Sequence, residues 1–142
     1  MVITGEPGTG KTYICSALID AMSKSQATLR YYNERGLLRI IRQRVSEKTS
    51  GDYLGHLQNL LDDEMIIIDD LGSSGHNEWR EEVLMEAVDF RYQVMKPTVF
   101  TSNLSRTDFY KTYGARIGSR LFATENTHIN MEGVGDLRQQ GK

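Results

Sequence analysis

A single cysteine, Cys15, stands among 142 residues, so no disulfide can form within the chain. That excludes a disulfide-stapled secreted scaffold and favours the cytoplasm. Only two prolines are present, and there is no low-complexity tract, internal repeat or linker. The longest aliphatic run is Met65-Ile66-Ile67-Ile68, far short of the ~20 residues of a membrane span. No charged leader followed by an apolar stretch opens the chain, so no signal peptide is read. Neither charge sign dominates: 17 Lys and Arg face 19 Asp and Glu, for a net charge of −2. His56, His76 and His128 lie far apart, without the spacing of metal ligands. What is present is a globular composition, 39% hydrophobic and 25% charged, too apolar for a disordered chain. Its length fits one domain, residues 1–142.

The charge is unevenly spread. Residues 28–48 hold six basic side chains against Glu34 and Glu47, whereas residues 62–89 hold ten acidic ones against Arg80 alone. Such asymmetry can mark a basic face for a polyanion beside an acidic region at a metal; two solvated helix faces would read the same way. Hydrophobic periodicity predicts strands at 2–4, 28–32, 65–69, 98–102 and 127–131. It predicts helices at 11–23, 34–45, 53–61, 79–94, 107–113 and 116–122, with Pro97 stopping one helix and Gly114 capping another. Residues 48–52 and 72–75 read as loops. The aliphatic run at 65–69 fits a strand buried on both faces of a parallel sheet. Strands alternating with helices predict an α/β sandwich around a five-stranded, mostly parallel sheet. A strand beginning at residue 2 suggests a truncated chain or a lost upstream domain.

Gly5-Glu6-Pro7-Gly8-Thr9-Gly10-Lys11-Thr12 matches the Walker A pattern G-x-x-x-x-G-K-[ST]. Glycines let successive N–H groups point inward at phosphate oxygens, and the following helix aims its positive end at the same place. Lys11 supplies a cation for the β- and γ-phosphates, and Thr12 a hydroxyl for Mg²⁺. The nucleotide-binding run is therefore Glu6, Pro7, Gly8, Thr9, Gly10, Lys11, Thr12 and Tyr13. Asp69 and Asp70 end the aliphatic strand as a Walker B pair, at the edge where open α/β sheets hold ligands. Asp69 is expected to hold Mg²⁺ through water, and Asp70 to orient or deprotonate the attacking water. Asn103 ends the next strand and is expected to hydrogen-bond the γ-phosphate or that water. Cys15 reads as packing.

These residues resemble the AAA+ ATPases, and more narrowly the bacterial and phage replicative helicase loaders of the DnaC and DnaI type. The resemblance is carried by 5–12, by Ile-Ile-Ile-Asp-Asp-Leu-Gly at 66–72, by 97–104 ending in Thr-Ser-Asn-Leu and by Tyr-Gly-Ala-Arg-Ile-Gly-Ser-Arg-Leu at 113–121; Arg91-Tyr92 also fits. It implies a P-loop NTPase core without a C-terminal helical lid, slow ATP hydrolysis with Mg²⁺, and a homo-oligomer. Arg120 takes the place of an arginine finger reaching the neighbouring subunit's γ-phosphate, with Arg116 one turn earlier on the same face. Arg138 takes the place of a nucleotide-sensing arginine. The basic stretch after the second strand implies contact with single-stranded DNA: Arg35, Arg39 and Arg42 share one helix face, and Tyr31 or Tyr32 could stack a base while the other packs in the core.

The chain departs from the family in two ways. It shows no counterpart of the N-terminal helicase-binding region, so helicase binding is expected to need a region outside this polypeptide. It also has Asp70 where many AAA+ proteins have Glu. An IstB-type transposition helper shares the architecture and is the nearest rival. A small P-loop metabolite kinase and a non-catalytic nucleotide-dependent binding module are the others.

Overall fold

The computed structural model describes residues 1–25, 27–47, 53–73, 75 and 77–139. The loop expected at 48–52 lies outside the described residues, as do Ser74 and His76. The elements are β1 (Val2–Thr4), α1 (Lys11–Ser23), β2 (Leu29–Asn33), α2 (Glu34–Glu47), α3 (Tyr53–Leu60), β3 (Met65–Leu71), α4 (Glu78–Gln93), β4 (Thr98–Ser102), α5 (Arg106–Leu121) and β5 (His128–Asn130). A 3₁₀ turn, Leu137–Gln139, follows β5.

The strands form one sheet in the order β2-β3-β4-β1-β5. Every pairing is parallel, so the sheet is wholly rather than mostly parallel. The two short helices expected at 107–113 and 116–122 fall within α5, which breaks at Gly114 with φ 75° and ψ 172°. A positive φ there suits glycine, which has no Cβ to clash.

Strand alternation sorts the core into two layers. Val2, Ile66, Ile68 and Phe100 face α2 to α5, where Leu37, Leu57, Val83, Phe109 and Ile117 are buried. Ile3, Ile67 and Val99 face the other way and bury Cys15 of α1. The β3 run is thus covered on both sides, which is why it reads as unbroken aliphatic residues. Each such side chain contributes roughly 1.5–3 kcal/mol by leaving water. Burial pushes the Cys15 thiol up to about 12, consistent with its reading as packing.

One polar knot sits inside the larger layer. Arg80 Nε of α4 donates to Glu34 Oε1 at 2.7 Å, and its guanidinium also bonds the Tyr113 hydroxyl and the Gly75 carbonyl. Tyr113 in turn donates to Glu34 at 3.1 Å. Arg80 and Glu34 are both buried. Arg91, whose pairing with Tyr92 matched the family, is also structural: it is buried and holds the carbonyls of Leu61 and Asp63.

Glu34→Ala is expected to lower stability by about 3–5 kcal/mol, because it leaves a buried guanidinium without its carboxylate. Urea denaturation measures it. A second expectation concerns pH. Burial, with the Arg106 charge adding to it, holds His128 below its ordinary value of 6.5. The unfolded chain therefore takes up this proton first as pH falls. The His128 contribution is full above its unfolded value and is lost on acidification through its lower folded value. The urea midpoint should fall between about pH 7.5 and about pH 5, and fall less in His128→Gln.

Candidate functional site

β1 ends at Thr4, and the chain turns through Gly5–Gly10 into α1. Helices α4 and α5 begin with side-chain caps, Asn77 and Ser105, but α1 begins at Gly10 with none. Its first N–H groups are left for a ligand, and an anion is the ligand that a bare helix N-terminus favours. Gly8 has φ 86°, and a Cβ there would lie 2.2 Å from Asp136 Oδ1. The positive φ is what calls for glycine, since the Asp136 and Arg138 side-chain ends nearby could move aside. Lys11 Nζ donates to the carbonyls of Gly5 at 2.7 Å and Glu6 at 2.8 Å. Burial lowers the Lys11 pKa, while the charges of Asp70 and Asp69 oppose the shift. Thr9 braces the loop through its own hydroxyl, which donates to the Glu6 carbonyl at 2.9 Å.

The second part of the site comes from an irregularity in β3. Ile68 pairs with Phe100 and Leu71 with Ser102, so β3 has one more residue than β4 across this stretch. The bulge falls on Asp69-Asp70, where Asp70 adopts φ 63°. Asp is among the few non-glycine residues that tolerate this region. Regular alternation would send the two carboxylates to opposite faces of the sheet; the bulge brings both to one cleft. Thr101 fills the bulge. Its hydroxyl accepts the Asp70 N–H at 2.8 Å and donates to Asp69 Oδ1.

Asp69 Oδ2 accepts the Thr12 hydroxyl at 3.0 Å and the Tyr31 phenol at 2.6 Å. Asn103 Nδ2 donates to Asp70 Oδ1 at 2.7 Å. Lys11, Thr12, Asp69, Asp70 and Asn103 thus meet in one cleft of about 580 Å³, which Pro7, Gly8, Gly10 and Tyr13 also line. The pairing of Thr12 with Asp69 puts two hard oxygen donors side by side, the donor set that suits Mg²⁺ bound partly by phosphates and water. Among the described residues, no group of three or more His, Cys, Asp or Glu could hold a metal alone.

Arg138 also reaches this cleft, with Leu137 beside it. The Leu137 N–H donates to the Gly8 carbonyl at 3.0 Å, and Asp136 pairs with Arg138 through Oδ1 to Nε at 3.0 Å. The segment after β5 therefore straps the phosphate loop, a contact with no signature in sequence spacing.

Arg120 is not part of this cleft. Its Nη1 lies 3.0 Å from Asp89 Oδ1, and Arg116 bonds Oδ2 of the same residue at 3.1 Å. Arg120 lines a larger cleft of about 680 Å³ with Met1, Pro97 and Thr98, at the opposite, N-terminal edge of the sheet. The basic face of α2 does assemble: Arg35, Arg39 and Arg42 line a cleft of about 310 Å³ with Trp79, and the Arg42 guanidinium sits 4.7 Å over the Trp79 ring. Of the tyrosine pair, Tyr32 is the buried one. Tyr31 turns to Asp69, a role that sequence reasoning missed, as it missed Thr101. The only prior signal for Thr101 was a polar pair, Thr101-Ser102, ending a buried strand. Burial and the bond to Asp69 raise the Tyr31 pKa, so the phenol stays a donor.

Thr101→Val keeps the shape of the side chain but strips a buried carboxylate of one donor and the Asp70 N–H of its acceptor. A loss of about 2–3 kcal/mol is expected, read from urea denaturation.

A family model described as IstB-like ATP binding protein matches residues 1–121. The uncharacterized protein YdaV of Escherichia coli (strain K12) is 22% identical over 127 residues, covering 89% of this chain and 50% of that protein. The chain thus spans about half the length of this curated relative. The crystal structure of the DnaC helicase loader superposes with a TM-score of 0.79 at 22% identity, covering 92% of this chain and 76% of that one. AMPPCP-bound DnaA from Aquifex aeolicus superposes with a TM-score of 0.76 at 17% identity, covering 97% of this chain and 42% of that one. The fold is therefore the P-loop NTPase type of the AAA+ domains, as the motifs implied. Matched over most of its length, the chain belongs to the family of IstB-like ATP binding proteins.

Proposed function

We propose that this chain is the ATP-binding and slowly hydrolysing domain of a DNA replication helicase loader that acts with single-stranded DNA in the cytoplasm. The observation that carries the ATPase reading is the convergence of Lys11, Thr12, Asp69, Asp70 and Asn103 at the C-terminal ends of β1, β3 and β4. Likeness to the DnaC helicase loader supports the replication role.

The residues divide the work. The loop N–H groups of 6–10, the α1 terminus and Lys11 bind the phosphates, with Tyr13 beside them. Thr12 and Asp69 would hold Mg²⁺, whose charge would offset charge developing on the phosphates. Asp70 takes a proton from the attacking water or orients it, and Asn103 fixes the Asp70 carboxylate for that task. The left-handed backbone of Asp70 favours a short side chain, so Asp here is matched to the bulge rather than a weakened Glu. Arg138 senses the nucleotide. Arg120 acts on the next subunit of a homo-oligomer, which its place at the far edge of the sheet supports. The α2 arginines and Trp79 offer phosphate contacts and a stacking face for single-stranded DNA. A helicase partner would be engaged through a region upstream of this chain. The IstB-like family match favours one second reading, a transposition helper that responds to double-stranded DNA.

Mg-ATP hydrolysis against protein concentration, with either form of DNA, tests the proposal. Specific activity should rise with concentration and with single-stranded DNA. Asp70→Asn should retain ATP binding and lose roughly 100-fold or more in turnover. Arg120→Ala should bind ATP and lose about 1,000-fold. Lys11→Ala should fail to bind. Stimulation by duplex DNA alone would favour the transposition helper. Turnover that is flat with concentration and unchanged in Arg120→Ala would sink the trans-acting finger. No turnover by the wild-type chain would point to a non-catalytic binding module.

A further inference from the structure

Three hydroxyls converge on one carboxylate at Asp69, and two have evident duties. Thr12 belongs to the phosphate loop, and Thr101 ties down the bulge. The third, Tyr31, belongs to neither. On β2, Asn33 is level with Asp69 and Tyr31 with Ile67. Side chains two residues apart share a face, so Tyr31 lies on the α1 side of the sheet and reaches along it to Asp69. The residue is 38% exposed, so core packing does not explain its position. Its hydroxyl makes a 2.6 Å bond to Oδ2, the oxygen that also receives Thr12.

The last torsion of an aspartate is broad, and its rotamer alone does not fix the carboxylate plane. Donors on both oxygens do. We infer that Tyr31 is a positioning residue of the magnesium site, holding the Asp69 carboxylate in the plane from which it serves a cation at Thr12. The inference rests on the Mg-ATP reading above. Partners that orient a metal-binding carboxylate typically matter 10–100-fold in metal affinity. Tyr31 is thereby assigned to the metal end of the cleft, not to stacking a nucleic-acid base.

The test is binding of the fluorescent analogue mant-ATP to the full chain, first in EDTA and then across a Mg²⁺ titration. Wild type is compared with Tyr31→Phe, which keeps the ring, and Tyr31→Leu, which removes it; thermal melts confirm folding. Both variants should need about tenfold more Mg²⁺ for half-saturation, with the loss confined to the magnesium arm. Tyr31→Phe carries the test if Tyr31→Leu fails to fold. Wild-type behaviour of Tyr31→Phe overturns the assignment. An equal loss in EDTA also overturns it, since that marks a nucleotide contact. Should the wild-type chain bind mant-ATP with no response to Mg²⁺, the Mg-ATP reading itself fails and takes the assignment with it.

Discussion

One extra residue in β3, opposite Thr101, decides where both acidic side chains of the cleft point. Without it, Asp69 and Asp70 would leave opposite faces of the sheet, and the two carboxylates would not line one cleft. The bulge survives because its strain is offset locally. Thr101 satisfies the displaced N–H and the buried carboxylate at once, and Asp70 belongs to a residue type that tolerates φ 63°. Bulges next to functional sites commonly re-aim a side chain in this way.

The buried Glu34–Arg80–Tyr113 knot does for the helical layer what the bulge does for the sheet edge. It joins α2, α4 and α5 through charge-assisted bonds whose geometry tolerates little sliding. Glu34 is the first residue of α2 and precedes the arginine face, while Arg80 also holds the Gly75 carbonyl in the connection after β3. The surface proposed to meet DNA and the strand carrying the acids therefore share one rigid anchor.

Much of this was legible in the sequence. Periodicity gave the order of strands and helices, because each buried face must repeat at the pitch of its element. The phosphate loop was legible because its chemistry depends on residues adjacent in the chain. What escaped were features set by register between elements. Met-Ile-Ile-Ile-Asp-Asp-Leu looks continuous, and a bulge shows only against the shorter partner β4. That either Tyr31 or Tyr32 must face inward follows from alternation, but which one depends on how β2 lies against Ile67. Arg120 and Asp89 meet because α4 and α5 pack together, and no spacing announces that pair.

The position of β1 has a consequence for assembly. Val2 is hydrogen-bonded into the sheet between β4 and β5, level with Phe100 on one side and His128 on the other. The phosphate loop that leaves β1 is then strapped by Leu137. During synthesis this loop emerges before its two flanking strands and its strap. Closing contacts of such sequence separation costs chain entropy before it returns any packing. The segment as far as Leu137 must therefore have emerged before the strap can close on the loop.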